Sequence, residues 1–520
     1  MIADALANVP SGVKMHRCLS VDEILRIIAC ELVGSGLKAT AVSLAHCCRS
    51  FQGPVLDTLW KTQYRLIPLL KCLPQGVWQE EGEVFTFQRI PTTAEWAGFR
   101  EYSQRMRGLR LDSSEDPLTP EIFLALQLRT ANEPFLPMLE AFECQQAEEE
   151  FIPFIPLVLS PRTRSIRISF ADDTPSLAVA STISRFPMLC PQLERVIIES
   201  LERDSVLTNA VSEMLLACNQ DSLQVFEVDS PLTEEAREVV YRLPTMSNLW
   251  AVIQGRTLLP PVMLPNLNSI DVEYDGELDW LQAFRGATLE KLESTTFTCK
   301  SEQIGDFLGA FASVALTTSA QNSLSAFKFY TSHSWNPKYT TLLPFKQLTE
   351  LEIEFSCDDG CSSRVDDDVI TLLAQAMPKL VSLKLGGEPC REPNDVTVYA
   401  LITLASRCLH LSELRIHFSG DSLVDMATDA EGVSLTNDEP VVRREDCGLT
   451  HLEVGRIHIP PRSAVGVAHS LLQIFPRILK VKYDTPEWKG VARTIEDFRR
   501  IGIFVGRAAR VGTGGLSGGA

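Results

Sequence analysis

No apolar run in the chain approaches the twenty or so residues that span a bilayer, so no membrane-spanning helix is expected. The opening MIADALANVPSGVKMHR has no charged stretch followed by a long apolar one, which argues against a signal peptide. Basic charge is scarce: 48 Lys and Arg stand against 67 Asp and Glu, a formal net charge of −19. Neutralising phosphates needs clustered Lys and Arg, so neither nucleic acid nor an anionic membrane surface is an expected partner.

Catalytic signatures are also missing. The 8 His make no HExxH or His-x-x-x-His arrangement, and His451 and His458 have no carboxylate at ligand spacing. There is no G-x-S-x-G elbow, and the Gly-Thr-Gly-Gly near the C-terminus has neither the strand nor the helix of a phosphate loop. The 14 Cys are mostly single. Cys47 and Cys48 are adjacent, and Cys357 and Cys361 lie four apart with no second pair, so no zinc site is expected. Cys30, Cys144, Cys190, Cys218 and Cys408 sit in apolar patterns, as small hydrophobes do. Such thiols fit a reduced cytoplasmic or nuclear setting. A Cys–His pair that meets only in space stays open. The expectation is a chain with no metal, no cofactor and no enzymatic activity of its own.

What is present is a folded composition, 45% hydrophobic and 22% charged, with two patterned regions. In the first seventh, Val21, Ile24, Leu25, Ile28 and Leu32 recur at helical spacing, and Ser20 with Glu23 reads as a capping box. A second helix carries Ala41, Leu44, Ala45 and Cys48. A third is expected to open at Gly53-Pro54 and to turn Val55, Leu56, Leu59 and Trp60 inward. So small a segment cannot bury a large core alone, and its apolar residues are expected to dock on a partner as well as on each other.

The second pattern begins after about residue 100. An apolar residue, two variable positions and then apolar–any–apolar return as Leu139…Phe142-Glu143-Cys144, Leu193…Val196-Ile197-Ile198, Leu267…Ile270-Asp271-Val272, Leu348…Leu351-Glu352-Ile353 and Leu380…Leu383-Lys384-Leu385. Clear copies also end at Val228, Phe329, Ile416, Val454 and Tyr483, with weaker ones at Leu109/Leu111, Ile166/Ile168, Leu249/Ala251 and Leu289/Leu292. Steps of roughly 21 to 38 residues and helix-like returns such as VITLLAQAM describe a strand-plus-helix repeat. A doubly wound sheet also alternates strands and helices, but ten or more units favour a solenoid.

The first region resembles the F-box, on Glu23-Ile24-Leu25, Ile28, Leu32, Leu44-Ala45, Cys48-Arg49-Ser50-Phe51 and Leu56-Asp57-Thr58-Leu59-Trp60. The likeness is strongest to fungal, basidiomycete-type segments, and the closing segment around VAHSLLQIFPRILKVKYDTPEW resembles the ends of the same proteins. Where that family has a proline before the Glu, this chain reads Ser20, Val21 and Asp22. The resemblance implies docking to a Skp-type adaptor, and through it a cullin and a RING subunit, by Val21, Glu23, Ile24, Leu25, Ile28, Leu44, Cys48 and Phe51.

The expected architecture is therefore an α/β repeat: a three-helix F-box-like head, then a degenerate leucine-rich-repeat solenoid with a parallel sheet on its concave face. Its divisions are a flexible N-terminus (1–15), the head (16–62), a helical linker and N-terminal cap (63–105), the solenoid with its C-terminal cap (106–504) and a disordered Gly-rich tail (505–520). Residues between the inward strand positions face the concave surface. Asp271, Glu273, Glu350, Glu352, Glu354, Lys384 and Arg415 are the candidate client contacts, and the acidic centre would suit a basic segment of an unknown client protein. The plain alternative is a solvated polar face. Arg162, Arg164 and Arg167 form the one compact basic cluster, and Asp358 to Asp368 lacks the ligand spacing of a calcium loop. The function expected is substrate recognition in an SCF-type ubiquitin ligase, with a scaffold outside the ubiquitin pathway as the alternative.

Overall fold

The computed structural model describes residues 21–500 except 83, 113–118, 130–133, 200–202, 255–260, 303, 356–364, 387–395, 419, 421–422, 425–446, 455–456, 458, 461–462 and 484. The expected flexible N-terminus, the Gly-rich tail and most of the 420–446 insertion lie outside the described residues, as do Ser20, Cys357 and Cys361. The chain divides into two compact units, one through Leu232 and one from Thr233.

The first unit opens with three helices, α1 (Asp22–Gly34), α2 (Lys38–Cys47) and α3 (Arg49–Lys61). Val21 takes the N-cap of α1, with no side-chain cap. The chain leaves α1 through Gly36 at φ +77°, a left-handed position that glycine occupies without strain. One expectation is corrected here. Helix α3 starts at Arg49, not at Pro54, because extended Cys48 turns the chain and Pro54 is tolerated inside the helix. The carbonyl that Pro54 cannot serve belongs to Ser50, which is exposed and can be hydrated.

A second correction concerns 63–105, which is not wholly helical. After β1 (Thr62–Gln63) and a short turn of helix, β2 (Trp78–Glu81) and β3 (Val84–Phe87) pair antiparallel before the helix Trp96–Ser103. Trp78 stacks on Phe85 and donates its indole N–H to the Leu73 carbonyl. Aromatic residues that read as a helical cap thus pack as a hairpin.

The parallel sheet of this unit runs β1-β4-β5-β6-β7-β8, with β4 at Gly108–Asp112, β5 at Ala141–Ala147, β6 at Ser165–Phe170, β7 at Arg195–Glu199 and β8 at Val225–Val228. The second unit continues the same pattern for nine strands in sequence order: β9 (Asn248–Gln254), β10 (Ser269–Asp275), β11 (Ser294–Cys299), β12 (Ala326–Thr331), β13 (Glu350–Phe355), β14 (Ser382–Leu385), β15 (Glu413–Arg415), β16 (His451–Val454) and β17 (Lys480–Tyr483). Sequential parallel neighbours joined by helical returns are the arrangement of an α/β repeat array. The alternation places Leu351, Ile353 and Phe355 in the core. Each such side chain contributes about 1.5–3 kcal/mol by burial.

One backbone device recurs along the array. At the entries of β5–β8 and of β10–β17 two successive backbone N–H groups converge on one carbonyl of the preceding repeat. Thr349 and Glu350 both donate to Ser325, Val381 and Ser382 to Thr349, and Ser412 and Glu413 to Val381. The first unit does the same, with Arg164 and Ser165 donating to Glu140. Thr349, Ser412 and Thr450 add their hydroxyls to these carbonyls. The backbone closes its own ladder, so the side chain at that position is free to vary.

The weak copy at Leu289/Leu292 is corrected too. Both residues are buried in a turn, and the strand is the following Ser294–Cys299. Thr295 occupies an inward position there at 0% exposure, which breaks the apolar period. At the far end, helix Ala464–Ile474, β17 and helix Trp488–Arg500 close the array. Val467, Leu471, Leu472 and Phe475 are buried, and Trp488 donates to the Ile457 carbonyl at 2.9 Å.

Candidate functional site

Two surfaces stand out, one in each unit. In the head, α3 packs against both other helices around a core of Ala29, Ala41, Ala45 and Val55. These are small side chains, so little apolar area is removed from water. Leu25 and Phe51, expected adaptor contacts, are buried and act as core. Val21 and Glu23 are exposed, and Ile24, Ile28, Leu44 and Cys48 are half-buried. Three further apolar residues stand in solvent that sequence reading passed over: Ile27 at 62% exposure, Leu37 and Val42. Ile27 was legible, since it follows Ile24 by three positions on α1. On α1 the apolar stripe is wider than the core covers: Val21 and Ile27 stand exposed, with Ile24 and Ile28 half-buried beside them. The carboxylate of Asp57 on α3 receives Arg105 and lies 3.6 Å from Arg26 of α1.

In the second unit, register sets the polar positions of the strands in rows. Asp271, Thr296, Lys328, Glu352, Lys384, Arg415, Glu453 and Lys482 share one row. Glu273, Thr298, Tyr330 and Glu354 share the next. All seven candidate client contacts therefore fall on one sheet face. They are not an open acidic surface, however. Lys328 pairs with Glu350 at 3.3 Å, and Lys384 lies between Glu352 at 3.8 Å and Glu413 at 3.6 Å. Arg415, only 13% exposed, pairs with Glu354 and reaches Glu453 at 3.7 Å. Glu273 is buried.

The centre of this face is electrostatically strained. Burial pushes the Glu354 carboxyl above its ordinary range, Arg415 opposes the shift, and a hydrogen bond and charge from Glu352 add to it. Burial, together with the hydrogen bond and negative charge of Glu352 and the nearby Glu354 and Asp271, pushes the Tyr330 hydroxyl up as well. The hydrogen bond and charge of Glu352 thus favour a proton on Glu354.

The other candidates resolve into structural roles. Arg164 pairs with Glu194, just ahead of β7, at 3.2 Å and Arg167 with Glu199 on β7 at 2.6 Å, so these two arginines have separate partners. Asp366 caps the helix Asp367–Ala376 through the Val369 N–H, and Asp367 accepts from both the N–H and the hydroxyl of Thr397. Burial pushes the thiols of Cys144, Cys190, Cys218 and Cys408 up to about 12, which keeps them protonated and poor nucleophiles. Cys30, expected on an apolar face, is exposed, half a turn from the Leu25–Ala29 stripe. Among the described residues, no three His, Cys, Asp or Glu side chains gather to hold a metal ion, and no helix is long and apolar enough to cross a membrane.

No family model and no curated protein matches the chain. Among solved structures, the chain is similar to one in the crystal structure of the Rad7 and Elc1 complex in yeast, at 15% identity and TM-score 0.37, over 72% of this chain and 92% of that one. It is also similar to a protein from Bacteroides fragilis, at 11% identity and TM-score 0.25, over 56% of this chain and 72% of that one. Likeness at these TM-scores carries no functional argument.

Proposed function

We propose that the chain is a client-recognition subunit of a ubiquitin ligase of the Skp–cullin type. The head docks a Skp-type adaptor, and through it a cullin, while the repeat strands hold a protein client. One observation carries the reading: a three-helix head around Ala29, Ala41, Ala45 and Val55 leaves Val21 and Ile27 exposed and Ile24 and Ile28 half-buried on α1, ahead of a repeat array. A small domain with more apolar surface than core to receive it fits a partner helix or groove. In this role the chain supplies no reacting group. It contributes affinity and orientation, so that a loaded ubiquitin carrier meets a client lysine at high effective concentration.

The test is co-purification of the full chain with a Skp-type adaptor, against the double variant Val21→Asp/Ile27→Asp. Both side chains are exposed, so the variant keeps its melting behaviour while losing the adaptor. Substitution of Leu25 would not serve, because Leu25 is wholly buried and its loss would unfold the head. If wild type and variant retain the adaptor equally, or neither does, the ligase reading falls and the chain stands as an interaction scaffold with the head as its cap.

A further inference from the structure

One inward position of the second unit breaks an otherwise apolar row. Thr295 on β11 stands in register with Leu249 and Ile270 on one side, and with Phe327, Leu351 and onward to Val481 on the other, all of them apolar. Threonine is smaller than these neighbours, and a cavity of about 30 Å³ lies beside it. Ile270, Thr295 and Phe297 line it from the sheet, and side chains of the segment Leu278–Phe284 and the helix Phe307–Thr317 complete it. Every lining residue is buried. Two polar atoms of the lining residues have no hydrogen-bond partner among the described residues: the Thr295 hydroxyl, on a residue 0% exposed, and the Trp280 indole N–H, on one 1% exposed. The remaining hydroxyl there, on Thr318, donates to the Ala315 carbonyl at 3.2 Å. The rings of Tyr274, Phe284 and Phe297 pack around Trp280 and hold its indole in place. Buried polar groups left unmatched are costly, and folded proteins match them with a protein partner or an ordered water.

We infer that this cavity is a binding site for an internal water molecule, held between the Trp280 N–H and the Thr295 hydroxyl. Size and polarity select the ligand. A buried water needs at least about 10–15 Å³ and two to four polar partners, whereas a cavity that takes benzene is about 150 Å³ and wholly apolar. The indole N–H only donates, and a hydroxyl both donates and accepts, so one water accepts from Trp280 and bonds Thr295 in either sense. The water ties β11 to the segment Leu278–Phe284, a 3₁₀ helix of 7 residues where runs of three or four are usual. Threonine rather than an apolar residue at this one inward position is thereby accounted for. The site depends on neither the adaptor nor the client.

A high-resolution crystal structure of the full chain, determined with and without xenon pressure, tests it. Density for a water is expected within hydrogen-bond distance of both Thr295 Oγ1 and Trp280 Nε1. Xenon enters dry apolar cavities, so it should leave this one alone. Denaturant unfolding of Thr295→Val gives a second reading that needs no crystal. The variant keeps the shape of the side chain and removes its hydroxyl, so the water loses a partner and the unfolding midpoint falls. In a dry cavity the same change relieves an unmatched hydroxyl, and the midpoint rises. No density at the site, xenon within it, or a midpoint that rises or holds overturns the inference.

Discussion

The two units use the same backbone device, at the entries of β5–β8 in one and of β10–β17 in the other, and arrange their outward charges differently. In the first, Arg110, Glu143 and Arg167 alternate along one row, with Arg110 paired to Glu143 at 3.1 Å and Arg167 to Glu199 at 2.6 Å. In the second, acid collects over β10–β13, while β14–β17 carry both signs, with Lys482 paired to Glu453 at 2.8 Å. Their cores differ as well. Strands β6 and β7 bury Ile166, Ile168, Val196 and Ile198, whereas around β11 and β12 the core is a cluster of rings, with Phe297 facing Trp280, Phe307, Phe311 and Phe327. A repeat fold leaves both choices open, since the backbone ladder stabilises each step whatever its outward side chains are. Interleaved charge cancels at short range and projects little field, while sorted charge projects one.

The largest effect expected from this contrast lies in the core. Phe297→Ala removes the ring that touches four aromatic neighbours, and should cost about 3–5 kcal/mol. In a repeat array such a loss is felt first by adjacent repeats. Amide hydrogen exchange should therefore show protection falling around β10–β12 while β5–β7 keep theirs. An equal loss in both units would mean that the two cores unfold as one, and the contrast would be one of chemistry only.

Much of this was legible in the sequence, for physical reasons that also mark where legibility ends. Strands such as Glu350–Phe355 alternate perfectly, and their period of two is visible in isolation. Strand β11 is not visible in that way, because Thr295 fills an inward position and the neighbouring Leu289 and Leu292 attract the pattern instead. The hairpin at Trp78–Phe87 escaped because four-residue strands rich in aromatics read equally well as a helix face. For the sites, sequence put Asp271, Glu352, Glu354, Lys384 and Arg415 on one face, since alternation alone decides that. It did not show that these charges pair across strands, because register joins residues about thirty positions apart. Likewise Leu25 and Ile28 look alike in a helical stripe, and only packing against α3 separates the buried residue from the half-exposed one.

A smaller effect separates two carboxyls on titration, one in each unit, although burial raises Glu227 of the first unit as well. In the first unit Glu95 accepts from Arg89 and from Thr92, and these bonds hold its carboxyl down at about 2. A depressed carboxyl lends stability above its unfolded value of 4.5, and that stability is lost as pH falls from 4.5 towards 2. In the second unit Glu354 is raised by burial, so the sign reverses. The folded state binds the extra proton, and stability declines as pH rises from 4.5 through the folded value. Denaturant unfolding across this range should show Glu95→Gln flattening the acid limb and Glu354→Gln flattening the decline above it. If both variants move the same limb, the two carboxyls are not opposed and this part of the contrast fails.

The smallest effect is expected from a change that preserves pairing. Exchanging partners in the first unit, Arg110→Glu with Glu143→Arg, keeps one ion pair at a site where Arg110 is 57% exposed and Glu143 25%. Surface pairs of this kind contribute about 0–1 kcal/mol, so the double variant should melt close to wild type. The ring of Tyr64 lies 5.8 Å from the Arg110 guanidinium, and losing that contact should account for most of any shift. A marked loss of stability in this variant would mean that the pair and its contact with Tyr64 hold the first strands together more strongly than an exposed pair does.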